Sequence, residues 1–152
     1  MDILALLKKD HENALLLFDE LDEAAEKSTK KQSKQDHVFS QLRNELELHM
    51  LGEEEVFYPV LNEDADISPM IMEGIEEHRV IRMILAEMVN MPKDEKWTAK
   101  LRVLRENVEH HIEEEEDDVF ENAEGILDKE QRNEMGNRMA EVKERHMAAM
   151  AR

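Results

Sequence analysis

The sequence predicts an all-α fold, and three observations carry that prediction. Leu, Met, Glu, Lys and Ala dominate the 152 residues, and these are helix-forming side chains. Turn formers are scarce, since four glycines, three prolines and 4% aromatics are too few for a turn-dense all-β chain. Apolar residues recur at alternating steps of three and four over long segments, which is the period of a helix with one buried face. The length suits one domain with a true hydrophobic core.

Five helical segments follow from the punctuation. Helix 1 is predicted from about Asp2 to Glu26, with the Lys, Ser and Gln stretch from Ser28 to Gln35 as the connection. Helix 2 covers roughly Asp36 to Asn62, kinked or ended by Pro59. Helix 3 starts at Ser68-Pro69, read as an N-cap followed by proline in the first turn, and stops at Met91-Pro92. Helix 4 extends from about Asp94 to Asn122 with Gly125 closing it, and Asp128 opens helix 5 toward Met150. Short connections between long helices imply antiparallel neighbours. The expected architecture is an antiparallel up-down four-helix bundle over residues 1–125, with a C-terminal helix over 126–152 packed on it or extending it.

Charge limits the partners. With 38 acidic and 20 basic residues the net charge is −18, which repels phosphate backbones and anionic membranes. Neither nucleic acid nor membrane is an expected partner, and cations are the compatible ones. Zero cysteines exclude thiolate metal sites, thiol redox chemistry and disulfides. The apolar run from Ile3 to Leu7 has its lysines on the wrong side for a signal peptide, and no stretch approaches the ~20 apolar residues of a span, so a cytoplasmic protein is expected.

The helical seams carry the chemistry. Helix 1 reads Leu4, Leu7, His11, Ala14, Phe18, Leu21, Ala25, and helix 2 reads Leu42, Leu46, His49, Glu53, Val56, Val60. Helix 3 reads Ile71, Ile75, His78, Ile81, Leu85, Met88, and helix 4 reads Leu101, Leu104, Val108, His111, Glu115, Val119. Each bundle helix therefore carries an inward histidine, and two carry a glutamate one turn further on. The pattern is an internal repeat. A shift of 67 residues lays Asp10-His11 on Glu77-His78, and a shift of 62 lays Leu42, Leu46, His49, Glu53, Tyr58 on Leu104, Val108, His111, Glu115, Phe120. Such halves pack about a pseudo-twofold axis, which sets His11, His49 and Glu53 opposite His78, His111 and Glu115.

A histidine with an acid four residues on is weak by itself. A quarter of the residues are acidic, so seven histidines would meet about two such partners by chance, and three occur. The weight lies in six polar groups all at seam positions, repeated in order. A buried carboxylate without a partner costs several kcal/mol, and a metal-free hydrogen-bond network would need every member satisfied. A pair of metal ions resolves all six at once. Four imidazoles giving one bond each and two glutamates, when bridging, giving two each, leave each metal with about four protein bonds and open positions. Imidazole with carboxylate and no thiolate suits iron, manganese or zinc. Asp10 and Glu77 are candidate acceptors for imidazoles of neighbouring helices. His110 lies ~100° around the helix from the seam and reads as a surface residue or one that supports a ligand from outside. His37 and His146 read as solvated or packing residues, Trp97 and Phe39 as packing at the far end of helices 4 and 2, and the methionines as pliable core filler.

The order His11, His49-x-x-x-Glu53, His78, His111-x-x-x-Glu115, with the Glu53 to Pro59 segment and the Glu113 to Phe120 run, resembles the hemerythrin-like HHE cation-binding domain over about residues 3–122. The resemblance implies a four-helix bundle around a non-haem centre of two iron ions, oxo- or hydroxo-bridged, with His11, His49, His78 and His111 as nitrogen ligands and Glu53 and Glu115 as bridging carboxylates. Oxygen-carrying hemerythrins have a second histidine one turn from the helix 3 ligand, where this chain has Gly74 and Arg82, and an aspartate spaced five where it has Glu115 spaced four. The resemblance is therefore to the broader group, linked to oxygen or nitric oxide response, iron handling and peroxide chemistry. Ferritin-like di-iron proteins use Glu-x-x-His, and no histidine here has a glutamate three residues before it. The implied function is binding of dioxygen or a related small ligand for sensing, storage or scavenging. The alternative is an enzyme-like protein acting on peroxide or nitric oxide, or donating iron in repair. No catalytic residue and no oligomeric state is assigned.

Overall fold

A computed structural model describes residues 1–26 and 32–150, with side chains described for 1–24 and 33–150. Those residues are mostly helical, with short turns at 62–67, 90–94 and 127–128 and no strand among them. The elements are α1 (Ile3–Glu26), α2 (Gln32–Gly52), a π turn (Glu53–Phe57), α3 (Tyr58–Leu61), α4 (Ser68–Val89), α5 (Glu95–Glu114), a second π turn (Glu115–Val119), α6 (Phe120–Ile126) and α7 (Lys129–Met150). Among the described residues no helix is long and apolar enough to cross a membrane.

Local chemistry sets the helix ends. Asp2 Oδ1 accepts from the Leu4 N–H at 2.8 Å at the start of α1. Asp94, about where helix 4 was expected to begin, caps α5, accepting from the N–H groups of Lys96 and Trp97. Asp128 and Gln131 cap α7 reciprocally, each side chain accepting the other's N–H. Ser68 does not cap α4: Ile67 takes that position and the Ser68 hydroxyl donates to Asn62 Oδ1 instead. Gly125 does not close a helix either. It lies inside α6, and no glycine among the described residues has positive φ. Part of the expected connection, residues 28–31, lies outside the described residues, and its remainder from Gln32 is already helical.

Two π turns, unforeseen in the sequence, follow the two His-x-x-x-Glu motifs. In each, an N–H reaches five residues back, from Tyr58 to the Glu53 carbonyl and from Phe120 to the Glu115 carbonyl. The extra residue turns the following positions inward. The expected stripe Val56, Val60 becomes Val56, Phe57, Tyr58 and Leu61, all buried, while Val60 is half-buried. Pro59 neither ends nor breaks the chain of helices, because it falls in the first turn of α3, where its missing N–H costs least.

Side-chain burial follows the seams closely. The seam residues from Leu4 to Leu21, Leu42 to Val56 and Leu101 to Val119 are buried, and on α4 Ile75 alone is half-buried; Ala25 falls outside the described side chains. The apolar core forms two clusters. One holds Leu7, Phe57, Leu61, Ile71, Phe120 and Met139, and the other Phe18, Leu42, Leu46, Ile81, Leu85, Trp97 and Leu104. On α1 and α4 the histidine falls between residues of the two clusters, and on α2 and α5 it follows second-cluster residues and precedes the π turn that carries the first cluster. Phe39 and Trp97 meet edge to face at 5.3 Å in the second cluster. The methionines divide: Met50, Met88, Met135 and Met139 fill core, whereas Met72, Met83, Met147 and Met150 are exposed.

Helix α1 packs on α2 and α5, α2 on α4, and α4 on α5, while α7 lies against α1, α2 and the first π turn. Met135, Gly136, Met139 and Val142 form its buried face. Gly136 is required there, since a Cβ would stand 1.8 Å from the Met1 carbonyl oxygen. Gly136→Ala should therefore cost roughly 1–3 kcal/mol or more by overpacking. Gly125→Ala, where a Cβ meets nothing within 4 Å, should raise stability by up to about 1 kcal/mol. Urea unfolding of both variants checks the pair, and equal effects would contradict this packing of α7.

Candidate metal centre

All six seam residues meet in one buried layer. His11, His49, Glu53, His78, His111 and Glu115 are the buried polar side chains of the described structure, none more than 6% exposed. Their inward atoms form two triads, His11, His49 and Glu115 in one and Glu53, His78 and His111 in the other, each compact enough to hold one ion. The glutamates thus exchange sides relative to the expected halves, because each reaches across the layer. Glu53 Oε1 lies 3.1 Å from both His49 Nε2 and His78 Nε2. Glu115 stands 3.2 Å from His11 Nε2 through Oε1 and 3.2 Å from His111 Nε2 through Oε2. Both carboxylates sit between the triads.

The orientation of every imidazole is set from outside. His11 Nδ1 donates to Glu116 at 2.6 Å, His49 to Asp10 at 2.9 Å, His78 to Glu54 at 2.7 Å and His111 to Glu77 at 2.6 Å. An ionised carboxylate only accepts, so each Nδ1 carries the hydrogen and each Nε2 turns a lone pair inward. Asp10 and Glu77 serve neighbouring helices as expected. Glu54 and Glu116 were not foreseen, although each directly follows a seam glutamate and the 62-residue repeat superposes them. Cations anchor two of these acceptors. Arg82 forks onto Glu54 at 2.8 and 2.9 Å and holds Glu47 through Nε, and Lys143 of α7 pairs with Asp10.

Tyr58, which the sequence offered only as a position of the 62-residue repeat, is a further group at the layer. It is 2% exposed, donates to Glu115 Oε2 at 2.6 Å and places its oxygen 3.4 Å from both His78 Nε2 and His111 Nε2. The first π turn carries it inward. Gly74 makes room, since a Cβ there would stand 3.2 Å from the Tyr58 oxygen. A mid-helix glycine costs about 0.5–1 kcal/mol relative to alanine, a cost that seats this hydroxyl.

The remaining histidines stay outside the layer. His110 is exposed and lies 3.1 Å from Glu114, with Glu77 nearby in a third, surface acidic group. His37 is exposed, and His146 meets Glu55 of the first π turn at 2.6 Å.

Without a cation the layer is unsatisfied. His11 Nε2, His49 Nε2, Glu53 Oε2 and Glu115 Oε1 are buried with no hydrogen-bond partner, because lone pairs of nitrogen face lone pairs of oxygen. Something positive must lie between them, and a proton or a metal ion qualifies. In the protein alone, protons take the role. Burial pulls the His49 pKa down, but the Glu53 charge, the Asp10 bond and the Glu115 charge reverse this and raise it to about 10. His111 is likewise raised well above its ordinary value, against burial, by Glu115, Glu53 and Glu77. Burial would raise the Glu53 carboxyl, yet His49, Glu115 and His111 hold it well below its ordinary range. These donors fit divalent transition ions, which replace the shared protons and release them.

The pH dependence follows with a definite sign. A raised histidine stabilises fully below its unfolded pKa of 6.5, and that contribution disappears as pH rises through about 10. A depressed Glu53 stabilises above its unfolded value of 4.5 and loses this as pH falls. The chelated protein should be most stable between about pH 4.5 and 6.5. Its Tm should fall toward pH 10 by the equivalent of a few kcal/mol, on the order of 1.4 per pKa unit. Metal-loaded protein should lack the alkaline fall. Thermal melts across pH with and without chelator check this, and identical profiles would contradict it.

No curated protein and no solved structure matches the chain. A family model does, that of the hemerythrin HHE cation-binding domain, over residues 2–123. With that match spanning α1 to α6, the chain belongs to the hemerythrin HHE cation-binding domain family.

Proposed function

We propose that the protein is a non-haem di-iron protein that binds dioxygen or a similarly small ligand. The observation that carries this is the pair of triads, each two histidines and one carboxylate. Two histidines with one carboxylate and free positions are the preferred donor set of non-haem ferrous iron. His11, His49, His78 and His111 are the nitrogen ligands through Nε2, and Glu53 and Glu115 the bridging carboxylates. Bound ferrous iron supplies the electrons by which such centres bind or reduce dioxygen. The chain's own part is to hold the donors, to fix the imidazoles through four outer carboxylates and to limit access.

Access is narrow. A cavity of about 20 Å³ borders all four histidines and is otherwise walled largely by Ala14, Leu46, Met50, Ile81, Val108 and Ile112. A water needs about 10–15 Å³ measured this way, so the space suits a diatomic or peroxide-sized molecule. The closed ring of contacts from α1 to α2, α4, α5 and back to α1 supports an antiparallel four-helix bundle over residues 1–125, with 126–152 as an added helix. A cytoplasmic location belongs to the same reading and agrees with the absence of cysteine.

Metal content tests the ligands. Anaerobic loading with ferrous iron should give two ions per chain. His49→Ala or Glu53→Ala should lower that content by half or more, and His37→Ala should leave it unchanged. Retention of both ions in the two ligand variants would overturn the assignment. Exposure of the reduced protein to oxygen tests the role: a coloured adduct released under vacuum supports binding, whereas peroxide consumption over many turnovers would replace it with an enzymatic function.

A further inference from the structure

We propose that Tyr58 is a fifth protein ligand to the ion held by Glu53, His78 and His111, so that the two ion positions are chemically unequal. The proposal rests on the di-iron reading and adds a donor and an asymmetry to it.

The distances carry the first part. Donor atoms about 2.1 Å from an octahedral ion lie about 3 Å from their cis neighbours. In this triad His78 Nε2 stands 3.1 Å from Glu53 Oε1 and 3.2 Å from His111 Nε2. The Tyr58 oxygen stands 3.4 Å from each of those two nitrogens. Both nitrogens turn lone pairs toward it, because their Nδ1 atoms are committed to Glu54 and Glu77. A phenol can donate one hydrogen, and Glu115 already takes it. Toward the two nitrogens the phenol oxygen therefore offers only lone pairs, which meet the shared protons of the metal-free layer and would become donors to a cation that replaces those protons.

The internal repeat carries the second part. The 62-residue shift lays Tyr58 on Phe120, and the 67-residue shift lays Gly74 on Leu7. Each aromatic ring stacks on a histidine, Tyr58 on His78 at 5.3 Å and Phe120 on His11 at 5.9 Å. A phenyl ring therefore suffices for the packing. What distinguishes the Tyr58 half is a hydroxyl aimed at the triad and a glycine that leaves space for it. On the Phe120 side no such oxygen exists, so the ion held by His11, His49 and Glu115 keeps the position that an exogenous ligand takes.

Coordination exchanges one bond for another: the O–H bond breaks, the proton leaves to solvent, and the phenolate oxygen donates its electron pair to the metal. No electron is transferred from the ring. Ferric iron bound to phenolate has a broad visible charge-transfer absorption, and Raman excitation within it enhances ring modes of the tyrosinate. Tyr58 is the single tyrosine of the chain, so those modes have one source.

The test is resonance Raman spectroscopy of the wild-type protein loaded with two ferric ions, repeated on Tyr58→Phe. Tyrosinate modes in the wild type, absent from Tyr58→Phe with both ions retained, are the expected result. Two bound ions in the wild type without tyrosinate modes would overturn the proposal while leaving the di-iron reading intact. Failure of the wild type to bind iron at all would overturn both. Should Tyr58→Phe fail to fold, the wild-type spectrum alone decides.

Discussion

Six polar groups buried in the middle of an apolar core are the constraint on which the rest of this structure depends. Lone pairs converge there from four helices, and burial without a positive partner would cost several kcal/mol per group. The layer also divides the core. Apolar residues on one side, around Phe57 and Leu61, and on the other, around Phe18 and Leu104, form separate clusters. Each cluster can fill its own volume, and together they clamp the helices so that the polar atoms stay within ligand distance.

The outer carboxylates turn this burial into orientation. Each accepts from one Nδ1 and commits the opposite nitrogen to the centre, which fixes the tautomer and the ring plane. Two of the four are anchored by cations from separate elements, Glu54 by Arg82 and Asp10 by Lys143. Helix α7 lies beyond the residues matched by the family model, yet it reaches the second set of acceptors through Lys143. Its apolar face, seated by Gly136 against the first residues of the chain, keeps that lysine in place. Arg82 and Gly74 stand where oxygen carriers have the extra histidine. Here Arg82 anchors the acceptor Glu54, and Gly74 leaves room for the Tyr58 hydroxyl.

The inward histidines and glutamates were readable from periodicity because a helix repeats its buried face every three to four residues, and a polar group that keeps the period must be satisfied inside. Asp128 was readable as the opening of the last helix because capping chemistry is local. What escaped the sequence depends on geometry without a compositional mark. The π turns at Glu53 and Glu115 break the period by one residue and so bring in Tyr58 and Phe57. Glu54 and Glu116 looked like ordinary surface acids in an acidic chain, and only their position beside another helix's imidazole distinguishes them. Ser68 looked like a cap, and a nearer acceptor on Asn62 took its hydroxyl. Lys143 required knowledge of where α7 packs, which no local pattern encodes.

The central claim is that this layer holds two cations at once and shares both glutamates between them. X-ray absorption fine structure at the iron edge of the loaded protein tests it most directly. The account predicts a first shell of nitrogen and oxygen alone, with a second metal scatterer at roughly 3.5–4 Å, or somewhat nearer if an oxo group also bridges. A nitrogen and oxygen shell with no metal neighbour, at two ions per chain, would contradict it.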